Sequence, residues 1–294
     1  MAVNRPPLHV LLYGETGAGK SSFAATFPKP MLVICFDPLG KHMPYLKAGD
    51  PKEMKSYEIP INEDESITIP YQDVRCPDGT IRVEFYHDMD IDAPTSFSNY
   101  RIRMARLQYE LVQWKTLVTD SVTFMELCAR KLDEKILNPL PEGVSRYSKG
   151  SGHDARQWYG ASTDALEEML CIRYAGLPIN VVVLAHTNKK KTFSQGEQVC
   201  GAFAPGRLYE RSLLSAAYQE QYRCYTDEGN YLIQTGNRGG FVGTTQIDAH
   251  DPSHPFYDNL WYHWDQRAKP IVKQTSPQID EEPVTKEGEE DAVS

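Results

Sequence analysis

Residues 14–21 read Gly-Glu-Thr-Gly-Ala-Gly-Lys-Ser and fit the pattern G-x-x-x-x-G-K-[ST] at every fixed position. No other feature limits the fold as sharply, because this spacing belongs to a loop between a strand and a helix. The apolar run Leu8-His-Val-Leu-Leu-Tyr13 supplies the strand. Ser21-Ser-Phe-Ala-Ala-Thr-Phe27 continues as a short helix, stopped near Pro28 and Pro30. Glycines in such a loop let backbone N–H groups converge on phosphate oxygens where a Cβ would obstruct, and the helix adds the positive end of its dipole. Gly14, Glu15, Thr16, Gly17, Ala18, Gly19, Lys20, Ser21 and Ser22 are therefore the expected cradle for the phosphates of ATP or a close relative. Within it, Lys20 is expected to reach the β- and γ-phosphates, and Ser21 to place its hydroxyl on Mg²⁺. A random chain of this length meets the pattern roughly one time in a hundred, and the flanking strand and helix reduce that further.

The rest of the chain repeats the theme of buried strand followed by helix. Met31 to Phe36, Thr116 to Asp120 and Ile179 to Ala185 are short, almost wholly apolar runs, as parallel strands covered on both faces require. Helical periodicity is expected over Ser98 to Leu111, Val122 to Ile136 and Asp154 to Tyr174. The implied fold is α/β, with a mainly parallel central sheet. Residues 38–99 are less regular and read as an inserted β-rich segment. In it, Ser66 to Arg75 and Thr80 to Tyr86 form a hairpin around the turn signal Pro77-Asp78-Gly79. Asn138 to Gly152 reads as a loop, and Asn230 to Thr235 as a strand paired with its neighbour. One domain over residues 1–265 and a disordered tail over 266–294 complete the expected organisation.

Charge and cysteine usage narrow the function classes. The net charge of −9 at first argues against nucleic acid, but residues 274–294 hold seven acids and one lysine, which accounts for six of those charges. The remainder is close enough to neutral to permit local basic patches. The chain has no apolar stretch of membrane-spanning length and starts without an apolar signal region, so the expectation is a cytoplasmic protein with no membrane partner. Its six cysteines are scattered, with no C-x-x-C pair, and read as reduced, mostly buried thiols.

Several further positions carry candidate chemistry. Asp120 ends the third apolar strand, where a carboxylate can hold Mg²⁺ through water, or can instead cap the helix that follows. His186 ends the fourth, a position that faces the γ-phosphate in a sheet of this kind, or is simply a hydrogen-bonded strand end. A hydrolytic enzyme needs a carboxylate to orient water; Asp37, at the end of the second strand, is the best-placed candidate and Glu15 inside the loop is another, and either can instead be structural. Lys189, Lys190, Lys191 and Phe193 combine bases with an aromatic ring, a mix that grips single-stranded nucleic acid, although most such charge runs are merely solvated. Arg207, Arg211 and Arg238 are candidate arginines for a subunit interface.

Taken in order, four segments resemble the RecA-like branch of P-loop ATPases, and more closely the phage nucleotide-binding family that includes Sak-type single-strand annealing ATPases. They are Leu11 to Ser21, Phe23 to Pro30, Thr116 to Thr123 with its Asp-Ser, and Asn180 to Thr187. The resemblance implies a RecA-like core, ATP and Mg²⁺, homo-oligomers on single-stranded DNA, and a part in phage recombination or repair. It also implies that the loop from Lys189 to Gly206 touches DNA. The sequence departs from the branch at Leu39, which stands where a glutamate usually follows Asp37 by two residues. Two other classes remain open. One is a nucleotide-gated interaction or loader module that scarcely hydrolyses ATP and docks a phage or host replication or recombination protein through the acidic tail. The other is a small-molecule kinase whose lid would use Arg101, Arg103 and Arg106.

Overall fold

The computed structural model describes residues 7–38, 43–88, 90, 92–137, 139, 155–187, 191–192, 198–199, 202, 213–218 and 220–234. The expected loop at 138–152 lies almost wholly outside these residues, and the acidic tail entirely so.

Strands β1 (His9–Gly14), β2 (Met31–Cys35), β7 (Thr116–Asp120) and β8 (Asn180–His186) form the heart of one twisted sheet. Two more strands run parallel with them: β6 (Gly79–Phe85) beside β2, and β11 (Glu220–Asp227) beside β1. The order across these six is β11-β1-β8-β7-β2-β6, and every ladder among them is parallel. Antiparallel strands finish both sides. β12 (Asn230–Gln234) pairs with β11, β5 (Ser66–Cys76) with β6, and β3 (Asp50–Pro51) and β4 (Lys55–Pro60) with β5. The strands on either side of Pro77-Asp78-Gly79 therefore do not stand off as a separate unit; β6 carries them into the sheet.

The apolar runs are continuous because both faces of the central strands are covered. Leu11, Leu32, Ile34, Leu117, Val181 and Val183 face one core, closed by α3 (Ser96–Leu107), α4 (Val122–Leu132) and α5 (Ala155–Glu167). Val10, Leu12, Val33, Val118, Val182 and Leu184 face the other, under α1 (Lys20–Ala24) and α2 (Pro44–Lys47).

Helix ends differ from the sequence expectation. The first helix stops at Ala24, and the Thr26 hydroxyl bonds to the Phe23 carbonyl at 2.6 Å, closing the chain into a turn before Pro28. α3 begins two residues early and ends at Leu107, leaving Leu111–Gln113 as a separate 3₁₀ turn. α4 and α5 each loosen into π-helical turns, Asp133–Leu137 and Glu168–Arg173.

Two buried polar networks pin the helices to the sheet. The Tyr174 hydroxyl lies 2.7 Å from both Tyr100 Oη and Thr119 Oγ1. Arg103 of α3, 2% exposed, donates Nε to the carboxylate of Glu84 on β6, which is 0% exposed. Tyr57 and Tyr86 donate their hydroxyls to the same carboxylate. Arg103 also reaches Glu110, and Arg106 donates to the Pro60 carbonyl. Two of the three arginines at helical spacing thus hold the scaffold together and do not form a substrate lid.

Candidate functional site

β1 delivers the chain to the glycine-rich loop at Gly14, and α1 receives it at Lys20. Each glycine has its own reason. A Cβ on Gly14 would sit 2.1 Å from the Cys224 carbonyl oxygen of β11, so the close approach of that strand requires its absence. Gly17 and Gly19 have φ of +80° and +82°, the left-handed region that favours glycine. Ala18 N donates to Glu15 O at 3.2 Å and closes the turn.

Lys20 folds back into this loop. The residue is 7% exposed, and its ammonium donates to the carbonyl oxygens of Gly14 and Glu15, both at 2.9 Å. Burial lowers its pKa, while the acids Asp120, Glu15 and Asp37 pull the other way. Ser21, the next residue, donates its hydroxyl to Asp120 Oδ2 at 2.7 Å across 99 positions of sequence.

Asp120 is 3% exposed, and Tyr45 Oη of α2 donates to the same Oδ2 at 3.2 Å. Burial raises its pKa to about 6, with Asp37 adding to the rise and the bonds from Ser21 and Tyr45 opposing it. The helix-cap alternative falls away, because Ser121 occupies the cap position of α4 and Asp120 is spent on Ser21 and Tyr45. The Asp120 carbonyl accepts from Phe36 N and Asp37 N at 2.6 and 3.3 Å, which ties the end of β7 to the chain leaving β2.

β8 lies between β1 and β7, and its last residue, His186, is in register with Gly14. The ring is half-buried and meets Phe124 edge-on at 6.1 Å, and His186 N donates to Thr123 Oγ1 at 3.3 Å. Burial lowers the His186 pKa and the Lys20 charge lowers it further, whereas Asp37 and Glu15 raise it. Lys20, Glu15, Asp37 and His186 are therefore within electrostatic reach of one another at one end of the sheet.

This arrangement has the chemistry of an anion site with a divalent-cation edge. Positive-φ glycines and a helix start direct N–H groups outward. One hydroxyl and one carboxylate converge beside them, the modest protein donor set that Mg²⁺ accepts when substrate phosphates and water complete its shell. Ser21 and Asp120 fit that role.

Not every candidate falls in this cluster. Lys189, Lys190, Phe193, Arg207, Arg211 and Arg238 lie outside the described residues; of Lys191, only the backbone, in β9 (Lys191–Thr192), is described. Sequence reasoning also missed two participants. Tyr45 came from a stretch with no assigned role, and Pro44 at a helix start was its only local signal. Tyr231 of β12 rests its ring against Gly19 with nothing in the sequence to announce it.

Comparison with protein-family models matches residues 6–205 to the family described as AAA domain. No curated protein matches the chain.

Proposed function

The chain belongs to the AAA-domain family of P-loop nucleotide-binding proteins, and on that premise we propose that it is a RecA-like, Mg²⁺-dependent ATPase. We further propose that it acts on single-stranded DNA in phage recombination, annealing or repair, within the Sak-type family that its motifs resemble. The observation that carries the ATPase reading is the 2.7 Å bond between Ser21 and Asp120, which joins the end of the glycine loop to the end of a strand two places away. A strand ending in a polar residue, His186, between those two supports the RecA-like assignment.

In this reading the triphosphate lies along the N–H groups of residues 14–22, and Lys20 exchanges the Gly14 and Glu15 carbonyls for phosphate oxygens. Ser21 and Asp120 hold Mg²⁺, which neutralises charge on the phosphates when bound. Asp37 orients the attacking water and takes its proton as the new O–P bond forms and the bond to the leaving diphosphate breaks. His186 reports whether the γ-phosphate is present. The segment Lys189 to Phe193 begins three residues after His186 and carries the response to DNA, in a homo-oligomer that closes around ATP.

The test is ATP hydrolysis with and without single-stranded DNA, for wild type, Lys20→Ala and Asp37→Ala. Expected are stimulation by DNA, loss of turnover in Lys20→Ala and a drop of at least a hundredfold in Asp37→Ala. Hydrolysis that survives in Lys20→Ala would refute the assignment.

Leu39, standing where an acid is usual in the branch, and the acidic tail favour a second reading, a nucleotide-gated module with little turnover. Nucleotide binding without hydrolysis, together with loss of a replication-protein partner on deleting residues 274–294, would select it.

A further inference from the structure

We infer that Tyr231 is the platform on which the base of the bound nucleotide stacks; this rests on the nucleotide-binding reading above and extends it from the phosphates to the base. Tyr231 is a large side chain left 59% exposed at the edge of the sheet. Its ring is nevertheless anchored, because Cδ1 lies 2.9 Å from the point where a Cβ on Gly19 would stand. Beyond its φ of +82°, Gly19 also leaves room for this ring, which a Cβ there would force to shift.

The ring is positioned by the sheet and not by a loop. β12 pairs with β11 from Arg223↔Gln234 to Asp227↔Asn230, with Tyr231 opposite Thr226. β11 is in turn bound in parallel register to β1 and passes its Cys224 carbonyl against Gly14. The hairpin that carries Tyr231 is therefore fastened to the strand that feeds the glycine loop. It also lies beyond residues 6–205, the part of the chain that the family match covers.

The direction of the ligand follows from the loop. Lys20 serves the β/γ end of the triphosphate, so the sugar and base leave from the α-phosphate, past the start of α1, where Gly19 and Tyr231 meet. A largely exposed tyrosine at that place suits a purine or pyrimidine, since every base has a π-face, and stacking alone does not choose between ATP and GTP. The ligand class is thus a nucleoside triphosphate in preference to an inorganic polyphosphate.

Calorimetric titration of wild type, Tyr231→Ala and Tyr231→Phe with Mg·ATP and with Mg·tripolyphosphate tests this. Expected is roughly tenfold weaker ATP binding in Tyr231→Ala, unchanged tripolyphosphate binding, and wild-type ATP affinity in Tyr231→Phe. Unchanged ATP affinity in Tyr231→Ala would overturn the proposal, as would equal loss of both ligands, which would mark the ring as a prop for the loop. Wild type that binds ATP no better than tripolyphosphate would also overturn it. Wild type that binds neither would remove the nucleotide reading itself, and this proposal with it.

Discussion

Asp120 shows what burial does to an acidic side chain. Its carboxyl is enclosed, and burial raises its pKa from 3.8 to about 6. The unfolded chain ionises this group first as pH rises, so the folded state loses stability through that window and the loss is complete above about pH 6. Roughly two pKa units correspond to about 3 kcal/mol. Asp120→Asn keeps acceptors for Ser21 and Tyr45 but carries no charge. Urea unfolding of the ligand-free protein should find it more stable than wild type at pH 7.5, with the gap closing toward pH 4. It should also lose Mg·ATP binding; a gap independent of pH would contradict the burial argument. At this scale the sequence was most legible where the requirement is local. Gly17, Gly19, Lys20 and Ser21 follow from the geometry of one turn, whereas Tyr45 and Tyr231 reach the site through pairings that no window of residues records.

Among the elements, the attachment of α3 to β6 depends on a charge pair sealed from water. Replacing Arg103 with Met leaves Glu84 at full burial with, among the described residues, the Tyr57 and Tyr86 hydroxyls as its donors. The expected loss is roughly 3–5 kcal/mol in chemical denaturation. Adding Glu84→Gln to the Arg103→Met variant should recover part of it; no recovery would mean that packing, not charge, sets the loss. The four central strands were readable because each is covered on both faces and so is mostly apolar, with polar residues chiefly at the ends. β11 was not, for it places Glu220 and Gln221 at full burial and belongs to the sheet only through its register with β1. The π-helical turns after α4 and α5 also escaped notice, since they interrupt a periodicity that continues on either side.

For the molecule as a whole, a ligand that binds only the folded chain stabilises it by mass action. Mg·ATP at a hundred times its Kd should raise the unfolding free energy by about 2.7 kcal/mol. That corresponds to roughly 5–10 °C in Tm for a domain of this size. Differential scanning fluorimetry should show the shift in wild type and none in Lys20→Ala; equal shifts in both would place the binding elsewhere. The sheet order carries one more consequence. With β8 hydrogen-bonded on both sides, the tips of β1 and β7 are fixed like the jaws of a caliper, about two inter-strand spacings apart, and the bond from Ser21 to Asp120 closes across them. Neither jaw can slide without tearing a ladder, so the sheet itself sets the gap between them. The tip of β8, where His186 stands, lies between the two jaws.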